Sequence, residues 1–138
     1  MKSRIAHALL ASAVFLGLAM MPARAEEPPK ENKGYTTLNT ILIDLGAEIP
    51  SMAGRQLRLR TIKIEPGGHI GLHDHKDRPA VVVIQQGTVT VTNGDGSSET
   101  FKAGDTAVDH VTTVHWLKNV GSDDVLFVTA DLPKKPAN

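Results

Sequence analysis

A chain of 138 residues has the length of a single domain with a real core. It contains no cysteine, which excludes disulfides, thiolate ligands and a thiol nucleophile, so any metal must be held by nitrogen and oxygen. Fifteen basic residues balance fifteen acidic ones, and nothing in the order of charges forms the basic stripe that binds a phosphate backbone, so nucleic acid is not an expected partner.

Residues 1–25 read as an export signal. Lys2 and Arg4 give a positive start, Ala8 to Met21 is an almost unbroken apolar run, and Ala23-Arg24-Ala25 is a small-x-small cleavage site. The apolar run is short for a membrane span and Pro22 follows it at once. The expected mature protein is therefore periplasmic or secreted, free of the membrane, and mildly acidic, with 12 basic against 15 acidic residues. Residues 26–36 are polar, with Pro28-Pro29 and Gly34, and read as a flexible leader.

From there the pattern is that of strands and turns. Leu38 to Leu45 is the first expected strand, and Pro50 to Gly54 a turn-rich connection. Gln56 to Ile64 alternates, apolar at 57, 59, 62 and 64 and basic at 58, 60 and 63. This predicts a strand with a bulge near Thr61 and a solvated face carrying Arg58, Arg60 and Lys63. Glu65-Pro66-Gly67-Gly68 is expected to end it. Ala80 to Gln86 and Thr88 to Thr92 are strands broken by Gly87, and Asn93-Gly94-Asp95-Gly96 is a strong hairpin turn. Further strands are expected at 99–101, 106–108, 114–120 and 125–132, before a polar tail over 133–138. Short strands with turns every 8–12 residues argue for an all-β sandwich or barrel over residues 37–132.

Five of the six histidines lie between positions 69 and 115. On a strand, residues i and i+2 point the same way, about 6.6 Å apart, so the rings of His73 and His75 can converge on one ion. His115 is the best candidate for a third ligand. His69 shares the parity of His73 but falls four residues earlier, towards a rim. Val82, Ile84 and Leu117 share the inward parity, as core or as an apolar pocket lining, and Trp116 should face the other way, towards a dimer contact. No Gly-x-Gly-x-x-Gly fingerprint, phosphate loop or Gly-x-Ser-x-Gly elbow is present.

These residues resemble the two motifs of the cupin superfamily. The first runs Gly, five residues, His-x-His, three or four residues, Glu, six residues, Gly. Gly67, His73, His75 and Gly87 fall in register, with Ala80 at the Glu position. The second runs Gly, five residues, Pro-x-Gly, two residues, His, three residues, Asn. Gly104, His115 and Asn119 fall in register, with His110 and Thr112 at the Pro and Gly positions.

The resemblance implies a single-domain double-stranded β-helix, the jelly-roll barrel. It also implies a divalent transition metal (Fe, Zn, Mn, Ni or Cu) on His73, His75 and His115. The family's glutamate is a metal ligand and its one anionic one, so Ala80 leaves only neutral imidazoles. Asp77 is then a candidate replacement ligand or a salt-bridged charge, His110 a candidate acid–base group or a surface turn residue, and Arg78 a surface residue or a clamp on an acidic substrate. The implied functions are a dioxygenase or lyase on a small organic molecule, a non-catalytic module binding a metal or small ligand, and a metal-free cupin of the sugar-epimerase type. The implied assembly is a homodimer.

Overall fold

The structure is a computed structural model and describes residues 26–136. The export signal read over residues 1–25 and the last two residues of the tail lie outside it. Eight strands follow in chain order: β1 (Lys33–Asp44), β2 (Gln56–Asp74), β3 (Ala80–Gln86), β4 (Thr88–Asn93), β5 (Ser98–Lys102), β6 (Thr106–Asp109), β7 (Val114–Asn119) and β8 (Val125–Asp131). One helical turn, α1 (Leu45–Glu48), joins β1 to β2 and is capped by Asp44, whose Oδ1 accepts from the Gly46 N–H at 3.1 Å. Among the described residues no helix is long and apolar enough to cross a membrane.

All pairings are antiparallel, in the order β5-β4-β7-β2-β8-β3-β6, with β1 on the free side of β2. The result is the nearly closed jelly-roll barrel that the sequence implies. β2 is common to both halves: its first part pairs β1 and β8, its last part pairs β7.

Three expectations change. Glu65 to Gly68 does not end the strand. β2 runs 19 residues straight through it, and the Pro-Gly stretch is absorbed as a break in register, Tyr35 pairing Ile64 while Lys33 pairs His69. β1 begins at Lys33, five residues before the first expected strand residue. The leader ahead of it is pinned: Pro29 O accepts from Leu72 N at 2.7 Å, Asn32 Oδ1 from Gly71 N at 2.9 Å, and Glu26 pairs Lys118. A Cβ on Gly71 would lie 2.9 Å from the Lys30 backbone, so this close approach requires glycine.

The third change concerns the face of β2. Parity does not switch at Thr61; the irregularity there falls on β1, between Thr37 and Asn39. Arg58 and Arg60 therefore share the inner face with Ile62 and Ile64 rather than a solvated outer one, while Lys63 does point outward, to Glu65. The inner face is built in rows across the sheet. Ile62, Phe127 and Ile84 form the buried floor, with Ile64, Val89 and Val125 fully enclosed beside them. Above the floor lies Arg60–Thr129–Val82–Ala107, and above that Arg58–Asp131–Ala80–Asp109. The outer face between these rows carries Ile41–Leu59–Ala130–Val81–Val108, of which Ile41, Val81 and Val108 are exposed.

Candidate metal centre

His73 near the end of β2 lies directly opposite His115 on β7. His75 stands just past β2, held by its own N–H to Thr113 O at 3.0 Å. The three rings meet as the sequence implies. His115 Nε2 is 3.2 Å from His75 Nε2 and 3.2 Å from His73 Nε2, and the ligand atoms of all three lie within 4.8 Å of one another.

The outer nitrogens decide what these contacts are. His73 Nδ1 is 2.8 Å from Gly71 O and His75 Nδ1 is 3.2 Å from Arg78 O. A carbonyl can only accept, so each Nδ1 carries the proton and each Nε2 presents a bare lone pair. Burial lowers the pKa of all three imidazoles, that of His115 to about 3, so they are neutral at neutral pH. The Nε2 atoms of His73 and His75 thus present lone pairs, each 3.2 Å from His115 Nε2. Two nitrogens at that separation, each about 2.1 Å from a common ion, subtend roughly 100° at it, between octahedral and tetrahedral angles. The donor set fits a borderline transition metal.

Sequence reasoning missed Asp109. It is buried, on β6, and pairs directly with Ala80 across the sheet. A carboxylate from the neighbouring strand thus stands beside position 80. Its Oδ2 lies 3.6 Å from His75 Nε2 and its Oδ1 3.6 Å from His115 Nδ1, and burial raises its pKa. The one signal for it in the sequence was an acid at the end of a short strand, and only the β3–β6 register gives that acid meaning.

The other candidates lie elsewhere. Asp77 adopts φ 59° and its exposed carboxylate pairs with Lys134 Nζ at 2.7 Å, away from the rings. His110 is exposed in the turn before β7, its N–H donating to Thr113 Oγ1. His69 pairs Lys118, and the register break between Ile70 and His73 puts it on the opposite face from the histidine cluster. Trp116 faces outward as expected but is 4% exposed, in a surface pocket shared with Glu26 of the leader.

The histidines open onto a cavity of about 570 Å³ inside the barrel. Val82, Ile84 and Leu117 line its apolar part, and Asp109, Arg60 and Arg78 its polar part. Arg78 is half-buried and points inward rather than lying free on the surface: its Nη1 donates to Asp131 Oδ2 at 2.8 Å and its Nη2 to Asp74 O at 3.2 Å. Asp131, fully buried, also accepts from Arg58 Nε at 2.9 Å, Arg58 Nη2 at 2.6 Å and Arg60 Nη2 at 3.4 Å.

Solved structures with a similar fold include a conserved protein with a double-stranded β-helix domain from Klebsiella pneumoniae, at 25% identity and TM-score 0.54 over 59% of this chain and 70% of that one. A predicted oxalate decarboxylase from Thermotoga maritima matches at 21% identity and TM-score 0.53, over 81% of this chain and 98% of that one. The cupin domain of Schizosaccharomyces pombe Cnp3 matches at 16% identity and TM-score 0.52, over 54% of each chain, so this chain spans about half of that relative. No curated protein matches. The family model described as the cupin domain matches residues 60–131, more than half of the sequence and all three converging histidines. By that match, and by the barrel that carries it, this chain belongs to the cupin superfamily.

Proposed function

We propose that this protein is a metal-binding cupin in which His73, His75 and His115 hold one divalent transition metal beside a cavity for a small organic molecule. The observation that carries the reading is the convergence of three Nε2 atoms, those of His73 and His75 each 3.2 Å from that of His115. Bound there by neutral imidazoles, the metal would supply a strong Lewis acid. Gly71 O and Arg78 O hold the rings of His73 and His75 from behind, and Asp109 faces Nδ1 of His115, so each ring presents its Nε2. The cavity supports a ligand or substrate next to the metal, which suits both a dioxygenase or lyase and a binding module.

Titration of the chelated protein with cobalt(II), followed by its visible absorption, tests this. One equivalent should bind, and His115→Ala should lose the bands. A wild-type protein that takes up no cobalt would overturn the reading in favour of a metal-free cupin. Oxygen consumption or substrate turnover by the loaded protein, abolished in His115→Ala, would separate the enzyme from the binding module.

The signal-like residues 1–25 support an exported protein whose mature chain starts at Glu26; N-terminal sequencing of the purified protein checks the cut. The uncharged outer row from Ile41 to Val108 crosses five strands, about 19 Å at the usual strand spacing, and supports a homodimer made by two copies of this face. Light scattering should report a dimer for the wild type and a monomer for Val81→Lys; a wild-type monomer would contradict it.

A further inference from the structure

Three guanidinium groups surround the single carboxylate of Asp131. Their shares are unequal. Arg58 makes a two-pronged pair with both oxygens, and Arg78 a short bond to Oδ2. Among the described residues Arg60 has only the 3.4 Å contact, to an oxygen already holding two closer donors, and its buried Nε has no hydrogen-bond partner. Asp131 thus leaves two positive charges unbalanced, and Arg60 is the least satisfied of the three.

Buried donors are almost always paired, and a buried guanidinium with a spare donor is costly unless something accepts from it. Arg60 sits on the cavity wall in the row Arg60–Thr129–Val82–Ala107, one row below Asp131, and Arg78 lines the same cavity. The other charged groups lining it are Lys30, Glu99 and Asp109, so cations outnumber acids on the wall.

We infer that the cavity takes a small organic carboxylate, anchored by the guanidinium of Arg60 with Arg78 beside it and the histidine cluster facing the rest of the molecule. A carboxylate matches the planar fork of arginine, and the 18% of the Arg60 side chain that stays exposed borders the cavity. The inference rests on the same cavity as the metal reading and names the class of molecule that enters it, but Arg60 needs no metal to act.

The test uses chelated, metal-free protein and calorimetric titration with acetate, malonate and succinate, each against its neutral amide, and with inorganic phosphate. At least one carboxylate should bind, with its amide at least tenfold weaker and phosphate no tighter. Arg60→Gln should lower the carboxylate affinity at least tenfold, and Arg60→Lys should fall between. The inference is overturned if none of the three carboxylates binds, if amides or phosphate bind as well, or if Arg60→Gln binds unchanged. Should Arg60→Gln fail to fold, the wild-type contrast between carboxylate and amide decides alone. A parallel zinc titration keeps the two readings apart: Arg60→Gln should take up zinc as the wild type does, and a wild type that binds no zinc would sink the metal reading and leave this one standing.

Discussion

Asp131 and Asp109 stand two strands apart in one row, with Ala80 between them. Removing Asp131 would leave three guanidinium groups crowded and unpaired. Asp131→Ala should therefore cost about 3 kcal/mol or more, read from urea denaturation, as expected when one partner of a buried ion pair is deleted. Asp109→Asn removes the charge facing His115 and should weaken metal affinity roughly 10- to 100-fold without unfolding the barrel; an unchanged affinity would remove Asp109 from the site. At this scale the sequence was partly readable. His73 and His75 announce themselves by their i, i+2 spacing, and His115 by its place between Gly104 and Asn119. Arg58 and Arg60 did not, because Leu57 and Leu59 looked like the inward set. They belong instead to an apolar outer face, and the inward residues at that end of β2 are charged ones meeting a buried aspartate.

At the scale of elements, glycine marks where strands must turn against a neighbour. Gly87, between β3 and β4, has φ 78°, and a Cβ there would sit 2.7 Å from Asp124 O and 3.0 Å from Val125 Cα, both backbone. Gly104 has φ 94° but faces open space. Both pay the strain of positive φ when replaced, about 1 kcal/mol, and Gly87 also meets backbone that cannot step aside. Gly87→Ala should therefore lower the thermal midpoint clearly more than Gly104→Ala; equal shifts would contradict the packing described. The strands after position 80 were legible because each is short, apolar and bounded by turn residues. β2 was not, since a Pro-Gly-Gly stretch ordinarily ends a strand. Here it survives as a bulge because β2 trades β8 for β7 across it. Nor was the packing of residues 26–32, whose polar composition gives no hint that backbone groups at Gly71 and Leu72 are waiting for it.

For the whole molecule, the buried imidazoles couple stability to pH. Their folded pKa values lie below the ordinary 6.5, so the unfolded chain binds protons that the folded one refuses. Stability of the metal-free protein should be full above about pH 6.5 and fall as the pH drops towards the value of about 3 held by His115. For Asp131 burial acts to raise the pKa, but hydrogen bonds from Arg58 and Arg78 outweigh it and hold it low, which adds to the loss below the usual carboxylate range. Asp109, raised by burial, works in the opposite sense, as one group against three imidazoles. The urea midpoint of chelated protein should be lower at pH 5 than at pH 7.5; equal midpoints would contradict three neutral rings, two buried and one half-buried. The most direct measurement is an anomalous difference map from a crystal grown with zinc, collected at the zinc edge. One peak about 2.1 Å from the Nε2 atoms of His73, His75 and His115 is the predicted result; no peak among the three rings, or a peak bound elsewhere, would contradict the account.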